Sequence, residues 1–252
     1  MKLQMKSVQL NKKSLVWGIL LLVTSGLSAQ FSDSFTIYFT KTTNIHKQLP
    51  NEPWVEQIKK GIPKFKKEKY ILVGKNGVST YRIDPENEPS FTAPEWLIPS
   101  AANEVILYAD SLKLKKDFAG SEFMICDSHF NFKWRITNDK RNIAGYNCRK
   151  AIAKFQDSIL IYAFFAEELI GSQGPEVIQG LPGVVLGLGI PMFYTNWFAE
   201  KVVLNAKGYS PKLPMKKRQK QYTKLMLHAE MEKLFGGKWN PDAEKMYWKL
   251  FF

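Results

Sequence analysis

Apolar and polar residues alternate one by one along Ser34–Thr40 (SFTIYFT), with Phe35, Ile37 and Phe39 set against Ser34, Thr36 and Tyr38. A side-chain period of two belongs to an extended strand with one buried face, and this commits the chain to a sheet. The pattern recurs. Phe132–Thr137 sets Phe132, Trp134 and Ile136 against Lys133 and Arg135, while Tyr70–Val73 and Val78–Ile83 flank Gly74–Gly77 as a hairpin. Val105–Ala109 and Phe123–Cys126 read as further strands. Tyr146–Phe155 and Ser158–Phe165 form a meander, with Asn142–Gly145 and Gln156-Asp157 as turns. Sequential strands with short connections pair antiparallel. The expected fold is therefore mainly β: an antiparallel curved sheet or open half-barrel with C-terminal α-helices, because a long twisted sheet curls.

Other segments break the alternation. Pro85, Pro89, Pro94 and Pro99 make 84–99 a long irregular loop, and 50–62 reads as a short helix begun near Pro53 and stopped by Gly61. From Pro214 to Phe235 the period changes: Tyr222, Leu225, Met226 and Ala229 recur at helical spacing opposite Lys217, Arg218, Lys220 and Lys224. Gly236-Gly237 ends this helix, and Asn240-Pro241 starts another. At the other end, Lys2, Lys6, Lys12 and Lys13 precede the apolar run Leu15–Val23 and the small residues Ser28 and Ala29, the layout of a signal peptide cleaved before Gln30. The expected organisation is a signal peptide over 1–29, a β-domain over 30–210, and a basic helical extension over 211–252 packed on that domain.

The most distinctive string is GPEVIQGLPGVVLGLGIP at 174–191, an apolar run punctuated by glycine and proline with no acid, base or nucleophile after Glu176. Pro182 fixes a turn between Gly180 and Gly183, after which Val184–Leu188 can re-enter the sheet. Upstream lies FKWRITNDKRNIAGYNCRKAIAKF at 132–155. Together these strings resemble the GLPGLI family of exported Gram-negative bacterial proteins, with Val184 and Val185 where the family name has Leu and Ile. The resemblance implies export to the periplasm or outer-membrane periphery and carries no assigned chemistry. The turn residues Gly180, Leu181, Pro182 and Gly183, with Trp134, are the candidate binding residues.

Catalytic signatures are missing. The Gly187-x-Gly189 pair lacks the third glycine and the helix of a dinucleotide site, and no His-Glu-x-x-His or nucleophile-elbow string occurs. No cofactor is expected. Cys126 and Cys148 are the two cysteines, a count that in an exported protein reads as a disulfide. A competing reading takes Cys126, His129 and Cys148 as three metal ligands, with no fourth. The net charge is +13, and removal of the four lysines of 1–29 leaves +9. For an exported protein this excess suits an acidic partner or an anionic membrane surface met by the basic C-terminal helix, and no nucleic acid. The leading expectation is a non-enzymatic envelope protein that binds an apolar small molecule, a lipid or an envelope protein. The alternative from another class is a hydrolase whose Glu167, Glu168, Asp127 and His129 gather in one cleft.

Overall fold

In the computed structural model, residues 34–88, 90–91, 103–118, 121–205 and 220–252 are described. The expected signal segment, most of the 84–99 loop and the Lys216-Lys217-Arg218 cluster fall outside them. The elements run β1 (Ser34–Asn44), α1 (Ile45–Gln48), α2 (Pro53–Gly61), β2 (Phe65–Lys75), β3 (Val78–Ile83), β4 (Glu104–Leu107), β5 (Ser111–Phe118), β6 (Ser121–Ser128), β7 (Arg135–Ile143), β8 (Tyr146–Phe155), β9 (Ile159–Ala166), β10 (Val184–Ile190), β11 (Thr195–Leu204), β12 (Gln221–Tyr222), α3 (Lys224–Leu234) and α4 (Pro241–Lys249).

All the strands join one open 12-stranded sheet of order β12-β6-β5-β4-β3-β2-β1-β11-β10-β9-β8-β7. Every pairing is antiparallel except the short β12 on β6. The sheet is two meanders. One runs outward from β1 to β6, and the other runs inward from β7 to β11 and closes on β1. Covalent geometry forces it to curl. β6 and β7 lie ten inter-strand steps apart in the order, about 48 Å in a flat sheet. The link 129–134 that joins them reaches at most about 25 Å. Only a curved sheet lets this strap cross from one wing to the other, and its Phe130 and Phe132 enter the core on the way.

Turn chemistry sets the register. Asn76 and Gly77 both have positive φ, as do Ala144 and Gly145, and Gln156 and Asp157; two successive residues of this kind make the tight hairpin turn that matches strand twist. The first hairpin is thus tighter than the expected four-residue turn. Gly74 stays in the strand, where a Cβ would lie 2.2 Å from the ring of Phe35 on its cross-strand neighbour.

Two further expectations need correction, and one strand adds to those expected. Phe132–Trp134 are not strand: β7 starts at Arg135, and Ile136 is exposed. The polar-looking Ser111–Phe118 is a strand, whose Leu112 and Leu114 are buried. The C-terminal helix starts at Lys224, because Gln221-Tyr222 pairs with β6 first. Its buried stripe is Leu227 and Met231, while Leu225 and Met226 face solvent and Ala229 is exposed. The apolar residues of 222–231 allow two helical phases, and packing of α3 under Tyr247 of α4 selects the second. Leu227→Ala should therefore cost about 2–5 kcal/mol in urea unfolding, and Leu225→Ala less than about 0.5 kcal/mol; the reverse order would restore the first phase.

Candidate functional site

Strand β1 carries the buried face from Phe35, Ile37 and Phe39 on to Lys41 and Thr43, which are buried on the same side. Extended backbone keeps its period whatever the residue type, so a lysine is delivered into an apolar interior. An isolated ammonium there would be costly. The chain meets that cost from the segment 172–180. Gly174 N–H donates to the Ile178 carbonyl at 2.9 Å, Gly180 N–H to Ser172 at 3.1 Å and Val185 N–H to Gln173 at 3.0 Å. The result is a tight loop whose tip, Pro175–Ile178, is wholly buried.

At that tip Glu176 is 0 % exposed and adopts φ 57°, a strained choice for a residue with a side chain. Its Oε1 receives Lys41 Nζ at 3.0 Å and its Oε2 receives Asn103 Nδ2 at 2.6 Å. Lys41 Nζ also donates to the Phe252 carbonyl at 3.0 Å and sits 4.9 Å from the Trp197 ring centre. Two distant parts of the chain thus converge on one carboxylate, and a third, at Phe252, reaches it through Lys41. The same interior holds Lys116 and Tyr81, which stacks on Tyr70 at 4.9 Å. Burial, aided by the charge of Lys41, pulls the Lys116 ammonium down to about 7. Burial and then Lys41 bring Lys249, which donates to Gln48 Oε1 at 2.9 Å, to about 8. Burial, with like charge from nearby carboxylates, holds the Tyr70 and Tyr81 hydroxyls well above the usual phenol range.

The glycine turn itself sits at the rim. Leu181 and Gly183 are buried, whereas Gly180 and Pro182 are exposed. Gly183 has φ 157°, and a Cβ there would lie 2.3 Å from the Ala166 carbonyl oxygen. Trp134 does join the turn: its indole N–H donates to the Gln179 carbonyl at 3.0 Å, and Gln179 Nε2 donates to the Phe130 carbonyl at 3.2 Å. These two bonds bolt the turn to the strap. Beside them opens a groove of about 440 Å³, lined by Asp110, His129, Asn131, Phe132, Gln179 and Gly180 among others.

Other candidates are not gathered. Cys126 and Cys148 are free thiols on β6 and β8, so no disulfide joins them. Among the described residues no group of three metal-ligating side chains occurs. His129 Nε2 engages the Tyr108 carbonyl at 2.9 Å. Asp127 accepts the backbone N–H of Lys224 at 2.8 Å, and Glu167 pairs with Arg149 at 2.8 Å on the other meander. Glu168 is exposed in the turn after β9. Of these four residues, His129 alone lines the rim groove. The buried carboxylate is Glu176, which lay in plain view within the glycine-rich string. Its signal was a single acid in an otherwise apolar run, matched by a single lysine in phase with the buried residues of β1.

No protein-family model matches the sequence, and no curated protein matches it. Sixteen chains of solved structures do match. One is a structure of PNGF-II, at 15% identity and a TM-score of 0.45, covering 86% of this chain and 33% of that one. The chain therefore spans about a third of the length of that neighbour. A likeness at this level carries no argument about activity.

Breaking a buried ion pair from one side leaves the partner charge stranded, so Glu176→Gln should destabilise the protein by about 3–5 kcal/mol in urea unfolding. The double variant Lys41→Met/Glu176→Gln should cost less than the sum of the two single changes. A second expectation concerns pH. Lys116 gives up its proton at about 7 in the folded protein, while the unfolded lysine keeps it to about 10.4. The unfolded state binds more protons in that window, so stability rises with pH across it, and Lys249 adds to the rise above about 8. Near pH 10 the unfolded tyrosines ionise before Tyr70 and Tyr81, and stability turns down. Thermal unfolding from pH 7 to 9.5 should show Tm climbing, with a shallower climb in Lys116→Met; a flat profile in the parent protein would contradict the assignment.

Proposed function

We propose that the chain is an exported cell-envelope protein, similar to the GLPGLI family, that acts as a non-enzymatic binding or accessory module. Its contact surface is the rim groove between the Gly180–Gly183 turn and the strap that carries Trp134. The observation that carries this reading is the filling of the interior. The space an acyl chain would need is occupied by the rings of Phe130, Phe155, Trp248 and Phe251, whose centroids lie 5.0 Å (Phe130–Phe251) to 6.3 Å (Phe130–Trp248) apart where they touch. A filled interior favours recognition at the surface over carriage of an apolar ligand. The turn is held rigid by Trp134 and Glu176, and a rigid loop loses little entropy when it docks.

A second reading, attachment to an anionic membrane surface through the C-terminal region, is favoured by one observation. Helix α3 exposes Leu225, Met226 and Leu234 beside Lys233, an amphipathic mixture suited to the interface. Among the described residues no helix is long and apolar enough to cross a membrane.

Photo-crosslinking in the native envelope tests the first reading. A probe at Pro182, exposed on the turn, and another at Asn131, exposed in the rim groove, should trap the same envelope protein, while a probe at Leu160 on β9 should not. Native mass spectrometry of the purified protein should give a ligand-free mass. A bound lipid in that spectrum, with no adduct from either rim position, would return the carrier reading.

A further inference from the structure

A second groove, on the outer face of the sheet and distinct from the rim, has a composition of its own. It measures about 440 Å³, within the range of about 300–1,000 Å³ typical of small-molecule sites. Its floor is a cross-strand row: Thr42 of β1 lies opposite Asn196 of β11, which lies opposite Gly189 of β10. Its walls are Phe65 and Tyr194, two large aromatic side chains that are 46% and 42% exposed.

The two outward-facing glycines of β10 differ in an informative way. A Cβ on Gly187 would lie 2.9 Å from Ile143 and 3.1 Å from Phe198, so packing alone accounts for that glycine. At Gly189 a Cβ would meet nothing within 4 Å, and the backbone is not in the left-handed region. Neither packing nor backbone requires the missing side chain. Its one consequence is an open floor between the aromatic walls. Tyr194 adds a second anomaly, since it holds its exposed ring on a backbone with φ 51°, fixed by Tyr194 N–H to the Pro191 carbonyl at 3.0 Å and by Asn44 N–H to the Tyr194 carbonyl at 2.9 Å. Strain of this kind is retained where the surroundings over-determine it, often at ligand clamps.

We propose that this groove binds a neutral saccharide, with a pyranose ring stacked against Tyr194 or Phe65 and its hydroxyls met by Asn196 and Thr42. The lining itself contains no charged side chain, and the nearby Lys64 ammonium is engaged over the Phe65 ring, 5.5 Å from its centre, so the groove holds no pair of charges to fix an ionic ligand. Among the described residues the Asn196 carboxamide and the Thr42 hydroxyl make no side-chain hydrogen bond. A purely aliphatic ligand would strip both of water and give nothing back, at a cost in free energy. A sugar satisfies both halves of the site. Its C–H face packs on an aromatic ring, and its hydroxyls both donate to and accept from an amide, which itself offers both functions. The exposed aromatics supply contact area at low entropic cost because each has only two side-chain torsions.

The test is an array of neutral and acidic oligosaccharides probed with the intact protein, followed by calorimetric titration of the best neutral glycan retained. Saturable binding is expected. Tyr194→Ala should weaken it by about tenfold or more, equivalent to about 1.4 kcal/mol. Gly189→Leu, which fills the floor without touching the core, should abolish it while leaving Tm unchanged. Retention of no neutral glycan, retention of acidic glycans alone, or binding unaltered by Gly189→Leu would each overturn the assignment. So would loss of phosphatidylglycerol-vesicle binding in Gly189→Leu without any glycan binding, which would make the groove a lipid contact.

Discussion

The architecture depends on the shortness of the strap between β6 and β7. Two meanders could lie side by side as a flat sheet if a long connection joined their far edges. A link of six residues, 129–134, does not permit it. Curling is thus a covalent requirement as well as a consequence of strand twist. Because the strap crosses the concave side, its side chains become core, and Phe130 and Phe132 meet Phe155, Trp248 and Phe251 there. The C-terminal helices and the 172–180 loop complete the filling. What would have been a ligand cavity in a wider half-barrel is here a packed interior.

Within that interior, one ion pair sets the position of the glycine-rich motif. Lys41 is fixed by the phase of β1, and Glu176 is brought to it on a strained loop tip. Buried ion pairs contribute little net stability, but leaving one partner charge buried alone is costly. A loop tip that places any other residue at this point leaves Lys41 unpaired. The pair therefore specifies where the Gly180–Gly183 turn emerges, and the bonds from Trp134 and Gln179 then clamp it to the strap.

Much of this was legible in the sequence, and the limits have physical causes. Alternation located β1, β8 and β9, and paired turn residues located the hairpins, since both signals are local. Reading stopped at Thr40 because Lys41 and Thr43 look like solvent residues, although strand phase alone points them inward. Ser111–Phe118 was missed for the same reason: its lysines mask the buried Leu112 and Leu114. The phase of α3 depended on a partner helix and could not be chosen locally. Trp134 meets the glycine turn through the Gln179 carbonyl, yet the partner of Glu176 lies 135 residues away in sequence, and no spacing rule finds it. The thiols of Cys126 and Cys148 show the converse, since an even count says nothing about which strands become neighbours.

The central position of β1 has a consequence for how the molecule is made. Its second neighbour, β11, follows it by about 160 residues, with Thr40 bonded to Glu200 across that interval. As the chain emerges from the ribosome, β1 to β6 can pair in order, while the free edge of β1, alternating and apolar on one face, waits for almost the whole of the remaining sequence. Contacts this remote in sequence form slowly. During that interval the unpaired edge of β1 is open to any extended segment nearby, including the same edge of another nascent copy.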